Sequence, residues 1–103
     1  MIVRSWTGRA TAPGAESYIA HFRQKVLPDL RGITGNRGAL LLRKGIGDET
    51  ELVVLTFWDS LASIHEFAGA DATQAVVEPE AKAVLKAFDT YVQHFDLVLD
   101  ARG

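Results

Sequence analysis

The chain has 103 residues, of which 48% are hydrophobic and 23% are charged, and this balance predicts one globular domain spanning residues 1–103. It contains no cysteine, which excludes disulfide bonds, thiolate metal sites and a cysteine nucleophile. A formal net charge of −2, with no apolar run of about 20 residues and no signal-peptide pattern, predicts a cytoplasmic protein without nucleic-acid or membrane partners.

The N-terminal third of the chain predicts a strand followed by a helix. Residues 2–9 are rich in residues that favour β-structure, and Pro13 then fits the first turn of a helix, where its missing N–H needs no partner. Apolar side chains recur at helical spacing from there to Gly32, which should end the helix. Pro28 lies inside this pattern, so we expect it to kink or shorten the last turn.

The middle of the chain predicts a β-hairpin. The apolar runs at 39–42 and 51–58 are too short for helices and are separated by the glycine-containing stretch 45–48. The second run, ELVVLTFW, is rich in β-branched and aromatic residues, which favour strands. We therefore expect the two strands to pair antiparallel.

Two short helices and a strand should complete the chain. Asp59 or Ser60 can cap a helix that Gly69 ends. Apolar spacing after Pro79 predicts a further helix over residues 79–88, and residues 90–99 predict the last strand. The order β-α-β-β-α-α-β predicts an α+β fold, the ferredoxin-like split βαβ arrangement, with helices on one face of a four-stranded antiparallel sheet.

The central strand is apolar on both of its faces, although an antiparallel sheet covered on one side should alternate apolar and polar residues. A single domain of this length has no further element to cover the second face. We therefore expect an isologous homodimer in which two sheets pack together. One face carries Leu52, Val54 and Trp58, and the other carries Val53, Leu55 and Phe57.

Three histidines are candidates for proton chemistry. His21 should lie on the solvated surface, and His94 should have a structural role beside Asp96 or a cross-strand neighbour. His65 borders the apolar face of the second helix, where a neutral imidazole could act as a general base. No two of them are three or four residues apart, so the sequence contains no local metal-binding motif.

Nine aromatic residues come from the predicted strands and helices alike. Several of them must converge between the sheet and the helices. Two interpretations stay open, a solid hydrophobic core and an apolar pocket that binds a small aromatic ligand. The presence of two tryptophans in so small a protein favours the pocket slightly, because complete burial of a tryptophan is costly unless its indole N–H finds a hydrogen-bond partner.

The stretch LTFWDSLASIHEFAG, residues 55–69, resembles the antibiotic biosynthesis monooxygenase family of small dimeric α/β barrels. The resemblance continues in YIAHFRQKVLPDLRGITGNRGALLLRK, residues 18–44, and in VVEPEAKAVLKAFDTYVQHFDLV, residues 76–98. It implies a ferredoxin-like protomer whose sheet packs against that of a second copy, as the strand pattern suggests independently.

The resemblance also implies a reaction. Members of this family oxidise phenolic or quinol compounds with molecular oxygen, without metal or flavin, because the deprotonated substrate itself supplies the electrons. The expectation is a monooxygenase that needs no cofactor and no metal and acts on a small aromatic compound. The residues carried over are Trp58 as pocket wall or hydrogen-bond donor, His65 as catalytic base, and Trp6, Phe67 and Tyr91 as ligand contacts.

Two alternatives accompany this hypothesis. A related branch degrades haem and uses an Asn on the first strand and a His after the second helix. Here the sole Asn is Asn36, before the second strand, and residues 70–77 contain no His, which disfavours haem degradation. The other alternative is a non-catalytic dimer that binds a small hydrophobic metabolite.

Overall fold

A computed structural model of the protein describes residues 1–102. Its strands form one sheet, and its helices pack against that sheet. Their bounds, in chain order, are β1 Ile2–Thr11, α1 Ala12–His21, a π-helical segment Phe22–Val26, α2 Leu27–Arg31, β2 Asn36–Ile46, β3 Glu49–Trp58, α3 Leu61–Ala68, α4 Pro79–Val84, β4 Ala87–Phe88 and β5 Gln93–Asp96.

The sheet is antiparallel throughout, and β1 lies in its interior. Its order is β2-β3-β1, and the position beyond β1 is shared by two short strands. β4 pairs with Gly8 and Arg9, and β5 pairs with the segment from Ile2 to Ser5. The predicted ferredoxin-like α+β fold is therefore confirmed. One detail is corrected, because two short strands, β4 and β5, occupy the fourth position of the sheet.

The first helical region ends at Arg31, directly before Gly32, the residue at which the sequence predicts its end. The side chain of Thr11 caps α1 by accepting a hydrogen bond from Gly14 N at 3.1 Å. Pro28 does not cut the region short, since α2 continues to Arg31. The backbone instead widens into the π-helical segment directly before α2, and the Leu27 N–H bonds to the carbonyl of Phe22, five residues earlier.

The helix α3 has the two ends that the sequence predicts. Ser60 and Ser63 form a capping box, in which each side chain accepts a hydrogen bond from the backbone N–H of the other. Gly69 ends the helix with a positive φ of 85°, a conformation that favours glycine.

The last helix and strand are shorter than expected. α4 ends at Val84, and the prediction of a helix reaching Phe88 is wrong, because Lys86 N donates instead to Arg9 O at 2.8 Å. This hydrogen bond draws the chain onto β1, so Phe88 lies in β4. β5 covers four residues instead of the predicted 90–99.

Both faces of the sheet are apolar, as the strand pattern predicts. Leu52, Val54 and Trp58 lie on the inner face, buried beneath the helices. On the outer face Leu40 pairs with Leu55, and Leu40 is 37% exposed. No helix within residues 1–102 is long and apolar enough to cross a membrane.

Candidate functional site

A small cavity of about 50 Å³ lies between the inner face of the sheet and the helices. Its wall is mainly apolar, with a few polar side chains, which is the usual composition of a small-molecule site. Aromatic rings come from β1, the first helical region and α3, so distant parts of the chain meet here. The rings are those of Trp6, Tyr18, Phe22 and Phe67, and the polar lining residues are Arg4, His21, Thr56 and Glu78.

The indole of Trp6 and the phenol of Tyr18 stack in this wall, with ring centroids 5.6 Å apart. Trp6 Nε1 donates to the carbonyl of Asp89 at 3.1 Å, which satisfies the indole and fixes its orientation. Burial, and then the charge of Glu78, raise the pKa of Tyr18 above its ordinary value. The phenol therefore stays neutral and contributes a hydroxyl and a ring to the cavity.

His21 lines the cavity, and one of its ring nitrogens is buried without a hydrogen-bond partner in the described part of the chain. Its Nε2 is buried and has no hydrogen-bond partner among residues 1–102. The predicted location on the solvated surface is wrong, because Tyr18, His21 and Phe22 lie three and four residues apart on one face of the helix. That spacing was the signal in the sequence. Buried polar atoms without partners are rare and call for a functional or ligand-based explanation.

Arg4 places a buried positive charge beside the aromatic rings. The residue is only 4% exposed. Its guanidinium donates to the carbonyls of Ala72 and Gln74, the latter at 2.6 Å, and lies 5.8 Å from the centre of the Phe67 ring. No carboxylate of the described chain lies within ion-pair distance of it. Burial lowers the pKa of Arg4 to about 10, so it stays charged at neutral pH.

Arg4 is not among the site residues predicted from the sequence, although the strand pattern contains the signal. Residues two apart in a strand point to the same face. Arg4 therefore shares the inner face with Trp6, where a charged side chain is unexpected unless it has partners or a function.

Residues 69–78, here called the covering segment, close the cavity on one side. Val76, Val77 and Glu78 line it, and the segment is tied to the chain after β4. Ala75 N donates to Thr90 O at 2.9 Å, and Val92 N donates to Thr73 O at 2.7 Å. An engineered apolar cavity that binds benzene measures about 150 Å³. An aromatic ligand therefore requires the cavity to enlarge.

Two of the expected ligand contacts, Trp6 and Phe67, line the cavity. Trp58 lies behind its wall, fully buried. The Trp58 indole donates to Thr56 Oγ1 at 2.8 Å and packs on Phe67 with centroids 5.7 Å apart. Trp58 therefore contacts two residues that line the cavity, Thr56 and Phe67, and does not line the cavity itself.

His65 and Tyr91 do not line the cavity. His65 is exposed because it lies four residues after Leu61, on the solvent side of α3, and its Nδ1 lies 2.8 Å from Gly69 O. The expectation that it borders the apolar face is therefore wrong. Tyr91 is 62% exposed and forms an isolated bridge with Gln74. Both residues contact the covering segment instead.

Metal binding would need a cluster of ligating side chains. Within residues 1–102, no three His, Asp or Glu side chains are grouped so that they could hold a metal ion. The chemical groups that the cavity does offer are one imidazole, one guanidinium, a carboxylate and hydroxyls among aromatic rings.

The sequence matches the model of one known protein family over most of its length. The family model for antibiotic biosynthesis monooxygenases matches residues 1–79. No curated protein sequence matches the chain.

Similar solved structures cover the whole fold. The haem degrader MhuD of Mycobacterium tuberculosis, with two haems bound in its active site, is 21% identical with a TM-score of 0.69, and the match covers 99% of this chain and 100% of that one. A protein of Deinococcus radiodurans, provisionally named an antibiotic biosynthesis monooxygenase, is 13% identical with a TM-score of 0.66 and full coverage of both chains. Rv0793 of Mycobacterium tuberculosis is 17% identical with a TM-score of 0.61, covering 99% and 100%. At these identities the likeness shows the fold.

Proposed function

The chain belongs to the antibiotic biosynthesis monooxygenase family, and on that basis we propose that it oxygenates a small quinol- or phenol-type compound without a cofactor. The observation that carries the proposal is the buried, unpaired Nε2 of His21, a residue that lines a cavity together with four aromatic rings. An unprotonated imidazole nitrogen can accept a proton, and the rings suit a flat aromatic substrate.

The first step is removal of a proton. His21 Nε2 accepts the hydroxyl proton of the quinol, and the resulting quinolate is electron-rich enough to pass an electron to dioxygen. The second step joins the oxygen to a ring carbon, and cleavage of the O–O bond then releases water. One oxygen atom enters the product and the other leaves as water, so a quinol becomes a hydroxyquinone and itself supplies all the electrons that reduce dioxygen.

The other residues of the site hold the substrate and exclude water. We assign the cavity walls to Trp6 and Phe67, which already line it. Trp58 is a positioning residue in this proposal, because its indole fixes the Thr56 hydroxyl and supports the Phe67 ring. His65 and Tyr91 are assigned to the covering segment, which they contact at Gly69 and Gln74.

The working unit in this proposal is a homodimer of single-domain protomers. We assign residues 1–103 to one domain; the family match ends at residue 79, and the pairing of β4 and β5 with β1 in the same sheet supports this assignment. The outer face of the sheet exposes Leu40, Leu42 and Phe95, which are 37%, 47% and 53% exposed. A second copy packed on this face would remove that apolar surface from water.

Haem degradation is the second candidate, and one observation favours it. The structural relative MhuD holds haem, and His21 Nε2 is the kind of atom that ligates iron. A titration with haemin decides between the two, because a shift of the Soret band that disappears in His21→Gln would support haem as substrate. An unshifted band would remove this candidate.

Oxygen consumption with a panel of quinols and electron-rich phenols tests the leading proposal. The expected result is substrate-dependent uptake above the uncatalysed rate, with one dioxygen consumed per quinol and no hydrogen peroxide formed. If ligands quench tryptophan fluorescence but no compound is turned over, the protein is a non-catalytic binder and the proposal is wrong.

A further inference from the structure

Arg4 is a buried cation that forms no ion pair among residues 1–102. Its three polar partners are two backbone carbonyls and His94 Nε2, at 3.2 Å. Burial, and then the charge of Arg4, lower the pKa of His94, so that imidazole is neutral at pH 7. Glu78 lines the same cavity without forming an ion pair with Arg4. Buried charges of this kind are normally paired.

The Arg4 guanidinium also has more N–H donors than acceptors around it. An arginine carries five N–H groups in a planar fork. Three of them face the two carbonyls and His94 Nε2, which leaves two N–H groups of Arg4 without an acceptor among residues 1–102. Two N–H groups of one guanidinium match the two oxygens of a carboxylate better than a single neutral oxygen.

Entry of a substrate would increase the number of Arg4 N–H groups that have no acceptor. The cavity of about 50 Å³ must enlarge for an aromatic ring, since about 150 Å³ accommodates benzene. The carbonyls of Ala72 and Gln74 belong to the covering segment, so an enlargement in which this segment moves would take acceptors away from Arg4. A charged donor left unpaired in an apolar site is costly. An anionic group on the incoming ligand would replace those acceptors.

We propose that Arg4 is the recognition group for a carboxylate on the substrate, so that the substrate class is a quinol bearing a carboxylate on or near its ring. This inference rests on the proposed function, to which it adds the charge of the substrate. The Arg4 guanidinium binds the carboxylate as the covering segment opens, and the Trp6 and Phe67 rings hold the aromatic part.

Calorimetric titration under nitrogen tests this with two matched probes, 2,5-dihydroxybenzoate and its neutral amide, 2,5-dihydroxybenzamide. The wild-type protein should bind the acid at least about tenfold more tightly than the amide, as a charge-assisted bidentate contact predicts. Arg4→Gln should lose this preference, and Arg4→Lys should keep part of it. Arg9→Gln is the matched control, because Arg9 lies on the same strand but pairs with Glu51 outside the cavity.

Equal affinity of the wild type for acid and amide would overturn the inference, and so would binding of neither or a preference that survives in Arg4→Gln. The wild-type comparison stands even if Arg4→Gln fails to fold. Tight binding of the acid under nitrogen, together with no oxygen uptake in a separate aerobic assay, would refute the proposed reaction alone. Oxygenation of neutral quinols with no preference for the acid would refute the carboxylate assignment alone.

Discussion

Across the β1–β5 pair, Nη1 of Arg4 lies 3.2 Å from Nε2 of His94, its register partner. A guanidinium nitrogen can only donate, so His94 Nε2 must accept, and the imidazole carries its proton on Nδ1. Burial and the charge of Arg4 both disfavour a second proton on His94. The contact therefore requires a neutral histidine.

The first prediction is that acidification weakens the fold through His94. Its pKa in the folded protein lies below the ordinary 6.5, so the unfolded chain takes up the proton first as the pH falls. The free energy of unfolding should decrease as the pH falls through and below about 6.5. Urea denaturation at about pH 7.5 and about pH 5 should show this loss reduced in His94→Gln. An identical loss in wild type and variant would contradict the assignment.

The second prediction separates two histidines. His21→Gln should lower kcat at least about 100-fold, because the general base is lost. His65→Gln should leave kcat within about threefold, since His65 lies outside the cavity and makes one contact with Gly69 O. Steady-state oxygen uptake with the best substrate of the panel measures both. The reverse pattern would restore His65 as the base and remove His21.

The third prediction concerns the hydrogen bond from Trp58 to Thr56. Trp58→Phe should lower the free energy of unfolding by about 1–3 kcal/mol, because it leaves a small cavity and removes a buried donor. Thr56→Val removes the acceptor without changing the size of the side chain greatly. In a double-mutant cycle measured by urea denaturation, the double variant should lose about 1 kcal/mol less unfolding free energy than the sum of the two single losses. Fully additive losses would show that the contact contributes nothing.

The fourth prediction concerns the outer face of the sheet. Leu40→Asp should shift the protein from dimer to monomer in sedimentation experiments, because a carboxylate would be buried in the contact between sheets. Leu61→Asp is the matched control, since Leu61 is an exposed leucine on α3, away from that face. A dimer that tolerates Leu40→Asp, or a wild-type monomer at micromolar concentration, would contradict the proposed assembly.

The sequence predicts most of this fold because local chemistry determines its elements. The cap at Ser60, the stop at Gly69 and the two-sided β3 all follow from side-chain type and spacing. The end of α4 does not, because Lys86 N bonds to Arg9 O, a partner far away along the chain. A helical pattern alone cannot reveal that competing hydrogen bond with β1.

The site is less predictable than the fold, and for a similar reason. The helical spacing of Tyr18, His21 and Phe22 was visible in the sequence, but which flank of a helix faces a cavity depends on how it packs. The environment of Arg4 comes from Ala72 and Gln74, 68 and 70 residues away. Only the folded chain brings these groups together.

The most direct test of the central claim is product analysis after turnover in ¹⁸O₂. A quinol substrate should gain one labelled oxygen atom per molecule, with the second appearing in water, and His21→Gln should form no product above the uncatalysed rate. A product without the label, or labelled product formed equally by His21→Gln, would contradict oxygenation in the cavity that His21 lines.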